Sequence, residues 1–188
     1  GHNGFLGKVL QKKLQKKNLN IFGISRGINL GLECVNYLGD VTNLNKLHNI
    51  MSSKNIDTVI HLAGKAIVSE CEENPFDAFK INGLGTSAVL EASRITHVKK
   101  IISVETDKVY GNQKIMPTPE TSKLNPGTPY EFSKALSLLT LDNLAEISSG
   151  IDLITFETLV FSLFLSPIFF VLRLFNLTSI TSTSPSVL

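Results

Sequence analysis

Apolar residues recur three and four positions apart at Leu6, Val9, Leu10 and Leu14, the spacing of one helix face. Short apolar runs follow at residues 20–25, 35–38 and 58–62, each long enough for a strand and too short for a helix. Between them Leu44, Leu47, Ile50 and Met51 pattern a second helix. Pro75 is suited to open another, because proline is favoured at the first helical position, with Phe76, Phe79, Leu84, Val89, Leu90 and Ala92 expected on its buried faces. Ile101–Val104 is a further buried run, Tyr130 and Lys134 follow Pro129 at helical spacing, and Asp152–Phe156 reads as the last strand. Strands alternating with helices in this way predict an α/β fold, a doubly wound parallel sheet. Ligands of such sheets sit beyond the strand C-termini. Gly4, Asp40, Ala63, Thr106 and Tyr130 are all expected on that edge.

Composition narrows the reading. The 188 residues are 43% hydrophobic, enough for one cored domain, and the formal net charge of +2 is too small to argue for nucleic acid. Lys8, Lys12, Lys13, Lys16 and Lys17 alternate with Val9, Leu10 and Leu14 and read as the solvated face of an amphipathic helix. Cys34 and Cys71 supply neither a disulfide framework nor a metal-ligand cluster, so no metal is expected and a reducing, cytoplasmic setting fits. The opening does not read as a signal peptide.

The candidate chemistry lies in the turns. Gly1, Gly4 and Gly7 are spaced three and three before the first helix, and such a turn lets backbone N–H groups approach a pyrophosphate. A plain loop-to-helix turn would use the same residues. Ser25-Arg26 ends the second predicted element with a hydroxyl and a guanidinium where a carboxylate would bind a ribose, which leans toward a 2′-phosphate; a surface arginine reads as well. Asp40 stands between a strand and a helix, as an N-cap or turn residue or as an adenine contact. His61, inside an apolar strand, reads as a packed core histidine. Asn82, amid apolar helical positions, either faces solvent or bonds something buried. Thr106, Asp107 and Lys108 present a hydroxyl, a carboxylate and an ammonium just after a buried strand. Tyr130 and Lys134 share one helix face, one turn apart, and the ammonium is expected to lower the phenol pKa from its usual value of about 10, making it a general base.

Jointly these stretches resemble a known family, the extended short-chain dehydrogenase/reductases, and within it the NAD(P)-dependent sugar epimerase/dehydratases. The carrying residues are the Gly1–Gly7 turn, Gly39-Asp40-Val41, His61-Leu62-Ala63-Gly64, Asn82-Gly83-Leu84-Gly85-Thr86 with Leu90-Glu91-Ala92, the Thr106–Gly111 stretch, and Tyr130 with Lys134. Thr106-Asp107-Lys108-Val109-Tyr110 is most similar to CDP-glucose 4,6-dehydratases. The resemblance covers residues 1–156 and implies a Rossmann-type sheet that lacks its first strand and its substrate domain here. It implies a cofactor, NAD with NADP as the variant, held by Gly1, Gly4, Phe5, Gly7, Arg26, Asp40, Val41, Leu62, Ala63, Gly64, Asn82, Tyr130 and Lys134. It implies a nucleotide-sugar substrate, with catalysis by Thr106, Asp107, Lys108, Tyr130 and Lys134. Tyr130 would take the sugar 4-hydroxyl proton as hydride leaves C4, Thr106 would bond the same oxygen, and Asp107 would serve as acid for loss of water from C6. A 4-epimerase, or an inactive cofactor-binding remnant, is the alternative. Family members often dimerise through paired helices, so a homodimer is expected of the full-length parent.

The pattern breaks after residue 156. The family's arginine, asparagine and glycine-proline signals are absent from the sequence, and residues 157–188 read as an aberrant apolar and Ser/Thr-rich tail. Leu159–Leu172 carries no charge, is interrupted by Pro167 and, extended to 177, is a marginal membrane candidate against the ~20 residues a spanning helix needs. With Gly1 already inside the glycine motif, the sequence reads as part of a longer protein.

Overall fold

The computed structural model describes residues 1–17, 19–27, 34–113, 118–119, 121–147 and 150–158. The expectations for the apolar tail beyond 158 lie outside these residues. Helix α1 (Phe5–Leu14) leads into strands β1 (Phe22–Ser25) and β2 (Val35–Leu38), then α2 (Leu44–Ser53) and β3 (Thr58–His61). Helices α3 (Val68–Glu73) and α4 (Pro75–Ala78) follow, and a π-helical turn (Phe79–Leu84) runs into α5 (Gly85–Ile95). Strand β4 (Lys100–Thr106), a 3-10 turn (Asp107–Tyr110), α6 (Pro129–Ile147) and β5 (Asp152–Thr158) complete the order.

All described strand pairs are parallel, as the alternation predicts. They form two sheets, β1-β2 and β3-β4-β5. The head of the chain stands between the C-terminal ends of β1 and β3. The His2 ring Nδ1 donates to the Ile24 carbonyl at 2.9 Å, and the Gly1 backbone lies directly on Leu62 and Ala63.

One core holds these layers together. Leu47 and Met51 of α2 pack with Ala88, Val89, Leu90 and Ala92 of α5, Ile101 of β4, and Leu141 and Leu144 of α6. Burying each large aliphatic side chain contributes about 1.5–3 kcal/mol. Helices α2 and α4 start where side chains satisfy their first-turn N–H groups: Asn43 accepts from Lys46 N, and Asn74 accepts from Asp77 N with Pro75 at the first position.

Two expectations are corrected, one of burial and one of a strand end. Phe76, Phe79 and Leu84 are exposed, at 77%, 38% and 55%, because the π-helical turn rotates that segment out of register with α5; Val89, Leu90 and Ala92 alone keep the buried face. Strand β4 also runs past Val104 to Thr106. Its alternation buries Ile101, Ser103 and Glu105.

Candidate active site

The C-terminal ends of β1 and β3 border a cleft lined by Gly1, Asn3, Gly4, Ile24, Ser25, Arg26, Gly39, Asp40, Val41, Leu62, Ala63, Gly64, Lys65 and Ile81. Eight residues of the expected cofactor set are therefore together: Gly1, Gly4, Arg26, Asp40, Val41, Leu62, Ala63 and Gly64. The glycine turn closes with Gly4 N donating to Gly1 O at 3.0 Å, and Gly4 then caps α1 without any side-chain bond. The first-turn N–H groups are left for water or an anion. A Cβ at Gly1 would fall onto the Leu62–Ala63 backbone, and one at Gly7 onto the His2 carbonyl. Gly7 therefore serves close packing of α1 on the turn, not the cleft wall. Gln11, buried in α1, donates to the same His2 carbonyl at 2.8 Å. Phe5 is 72% exposed and is not part of the lining. A floor of backbone with no room for side chains fits a flat, phosphate-bearing cofactor.

Asp40 does what its turn reading predicts. Its Oδ1 accepts from Thr42 N at 2.9 Å and from the Thr42 hydroxyl at 2.8 Å. The backbone bond from Thr42, helped by the charges of Arg26 and Lys80, holds its carboxyl below the usual range. Ser25 bonds Asn3, Asn36 and the Gly27 carbonyl, so the hydroxyl beside Arg26 is already engaged.

Asn82 is 2% exposed and resolves its two readings in favour of a buried role. Its Oδ1 accepts from Lys65 N at 2.8 Å; its Nδ2 donates to Lys65 O at 3.0 Å and to the Ser133 hydroxyl at 2.8 Å. Ser133 in turn donates to the Tyr130 carbonyl at 2.7 Å. Asn82 therefore fastens the turn after β3 to the first turn of α6. The π-helical turn that aims it is a backbone form found often at functional sites.

Tyr130 is half-buried on the first turn of α6, and Thr106 is buried at the end of β4. Thr106 Oγ1 accepts from Lys108 N at 3.3 Å and lies 3.5 Å from Asp107 Oδ1. The Lys108 side chain is exposed and forms no ion pair with a carboxylate among the described residues.

The expectation that Lys134 lowers the Tyr130 pKa is overturned. Burial pushes the phenol up; the Thr106 side chain opposes this, and Cys71, Glu105 and Asp107 push it further up. The lysine is turned elsewhere. Its Nζ donates to Val104 O at 2.9 Å and pairs with Glu105 Oε2 at 2.9 Å. Glu105 is 1% exposed; its Oε1 accepts from Ser103 at 2.8 Å and from Ser137 at 3.2 Å. Ser137 continues to Thr86 at 3.1 Å, and Thr86 to His61 Nε2 at 2.9 Å. His61 is a core histidine, as read: burial first, then the Lys134 charge, pushes its pKa down to about 3, so the ring is neutral. No motif spacing marks this polar layer between β3, β4, α5 and α6. Its one sequence signal is the carboxylate of Glu105 at an inward position of a buried strand.

The model of the NAD dependent epimerase/dehydratase family matches residues 1–159, and the chain belongs to that family. A UDP-glucose 4-epimerase of Yersinia enterocolitica is 30% identical over 149 residues, which cover 72% of this chain and 44% of the relative. A GDP-mannose 4,6-dehydratase of Sordaria araneosa is 31% identical over 141 residues, 73% of this chain and 25% of the relative. The crystal structure of UDP-glucose 4-epimerase from Thermotoga maritima with UDP-glucose superposes with a TM-score of 0.77 at 28% identity, over 84% of this chain and 53% of that one. The UDP-glucose 4-epimerase of Brucella ovis in complex with NAD gives the same TM-score at 25% identity, over 82% and 49%. The chain thus spans about half the length of these solved structures and less than half of the curated relatives.

Proposed function

We propose that residues 1–156 are the cofactor-binding half of an NAD-dependent nucleotide-sugar 4,6-dehydratase, similar to those acting on CDP-glucose. The observation that carries this reading is the tie from Asn82 through the Ser133 hydroxyl to the Tyr130 carbonyl, which fastens the Tyr130 turn of α6 to the turn after β3. A sugar hydroxyl between Thr106 and Tyr130 meets a donor and a base on the same oxygen. Asp107 follows on the next residue and is the acid for loss of water. When bound, NAD supplies the acceptor and later the donor of hydride. The chain's part is to hold the pyrophosphate on the α1 N-terminus, to anchor the cofactor along Leu62–Gly64, and to manage the proton at Tyr130.

Relatives include both 4-epimerases and 4,6-dehydratases, and Asp107 separates the two readings. An epimerase has no step that needs an acid at C6. The test is incubation with NAD and CDP-glucose, with UDP-, GDP- and dTDP-glucose in parallel. A 4-keto-6-deoxy sugar supports the dehydratase; a 4-epimer supports the epimerase. NAD binding without conversion of any of the four identifies a remnant that keeps only the cradle.

The cytoplasmic setting rests on the two free thiols, Cys34 and Cys71. No helix among the described residues is long and apolar enough to cross a membrane. A homodimer is supported by α6, where Phe132, Leu136 and Leu139 are 52%, 44% and 53% exposed at i, i+4 and i+7.

A further inference from the structure

The turn that leaves β1 is pinned by three side chains, and the proposed function gives it no role. The Gly27 carbonyl accepts from Ser25 Oγ at 2.6 Å, from Asn3 Nδ2 at 3.2 Å and from Asn36 Nδ2 at 3.4 Å. Asn3 belongs to the glycine turn and Asn36 to β2, so three segments of the chain meet on one oxygen. Arg26 stands between the pinned residues. It is exposed, and it lines the cleft with Gly4, Asp40 and Val41. Its guanidinium makes no ion pair among the described residues. The other cation of the lining, Lys65, is already paired with Asp77 at 3.1 Å.

At this strand end a dinucleotide fold that takes NAD ordinarily supplies a carboxylate, which accepts from the ribose 2′-hydroxyl. Here the strand ends Ile24-Ser25-Arg26-Gly27. Ser25 spends its hydroxyl proton on Gly27 O and accepts from Asn3 at 3.0 Å. Asp40, the carboxylate of the cleft lining, is turned to Thr42, from whose N–H and hydroxyl it accepts. The unspent group is the guanidinium, a planar fork of donors that matches a phosphate and offers nothing to a hydroxyl proton. We propose that the β1 end of the cleft is a phosphate-monoester subsite built on Arg26, which takes the 2′-phosphate of NADP, and that the chain binds NADP more tightly than NAD. The backbone cradle serves both dinucleotides, because they differ only in that phosphate. This rests on the reading of the cleft as the cofactor cradle and not on the sugar chemistry at Tyr130.

The experiment is calorimetry of the 188-residue chain with NADP, NAD, 2′,5′-ADP and 5′-AMP. The last two differ only in the 2′-phosphate and carry no nicotinamide, so they read the β1 end alone. NADP is expected to bind about tenfold more tightly than NAD, and 2′,5′-ADP about tenfold more tightly than 5′-AMP, the worth of a charge-assisted phosphate contact. Arg26→Met keeps the stem and removes the charge. Both margins should then vanish, with NAD affinity within about threefold of wild type. Arg26→Glu supplies the missing carboxylate and should reverse the preference. Wild-type chain that binds NAD as tightly as NADP overturns the proposal, and so does a margin that survives in Arg26→Met. The wild-type comparison decides even should a variant fail to fold. Binding of neither dinucleotide would strike the cradle and this subsite together. Tight NADP binding without conversion of any nucleotide sugar would strike the proposed function and leave the subsite standing.

Discussion

The cleft at the ends of β1 and β3 and the site at the end of β4 are built from different materials. The first is backbone. Its walls are a glycine turn, an uncapped helix start and the Leu62–Gly64 strand exit, and its tight points are places where no Cβ fits. The second is side chains. Thr106 and Tyr130 flank, at the end of β4 and the start of α6, a layer in which Lys134, Glu105, Ser137, Thr86 and His61 satisfy one another. A backbone site is most sensitive at its glycines, where a Cβ has no room. A side-chain site depends on the partner of each residue. Variants in the two regions should therefore differ in kind: the first should lose fit and stability, the second chemistry and pH response.

The largest effect expected is at Tyr130. Tyr130→Phe removes the proton acceptor and keeps the ring, so conversion of the nucleotide sugar should fall about 10²–10⁴-fold. NAD affinity, measured by calorimetry, should stay within about threefold, because the backbone cradle is unaltered. A variant that converts substrate at near-normal rate would mean that the side-chain region is not where the proton goes.

Next in size is the acid response set by His61. The unfolded chain protonates this ring near pH 6.5, whereas the folded one resists until about 3. The stability from the neutral ring is complete above 6.5 and is lost as pH falls, by about 1.4 kcal/mol per pH unit across that window. Urea unfolding at pH 7, 6, 5 and 4 reads the slope, and His61→Gln, which cannot protonate there, should flatten it. A wild-type slope that His61→Gln leaves intact would mean that another group carries the acid limb.

The two regions were not equally legible. Glycine spacing announced the cradle, because backbone approach requires a residue type that the sequence displays. The strands β1 to β4 are legible from their apolar runs, although the run that marks β4 stops at Val104 and the strand continues to Thr106. The polar layer was hidden for two reasons. Glu105 and Lys134 each have a default reading, a strand end for one and a partner for the phenol for the other, and nothing in their spacing says that they face each other. The first half of helix α6 also departs from the usual pattern. Ser133 and Ser137 are fully buried while Phe132, Leu136 and Leu139 are exposed, so hydropathy points the wrong face inward. The exposure of Phe76, Phe79 and Leu84 was hidden by the π-helical turn, which a 3.6-residue period does not describe.

Gly7→Ala tests the backbone half directly. The added methyl meets the His2 carbonyl, and the turn has little room to yield because His2 is held by Ile24 O and by Gln11. A loss of about 1–3 kcal/mol is expected in urea unfolding. NAD affinity should weaken as well, since the turn that moves is the one bearing Gly4. Unchanged affinity with lowered stability would separate Gly7 from the cofactor.

The smallest effect lies at the start of α6, where the two kinds of construction meet. Thr128 Oγ1 accepts from Glu131 N at 3.3 Å, and Glu131 Oε2 accepts from Gly127 N at 2.6 Å and Thr128 N at 3.2 Å, a reciprocal cap. Thr128→Ala should cost about 1 kcal/mol of stability. The cap touches no group assigned to chemistry, yet the turn it closes carries Tyr130 and Ser133. Loss of the cap should therefore raise amide exchange over residues 130–134 while the Asn82–Ser133 bond still tethers that turn to the cleft. Conversion should fall by less than about tenfold if the tether suffices. A collapse as deep as that of Tyr130→Phe would show that the cap, not Asn82, holds the phenol at Thr106.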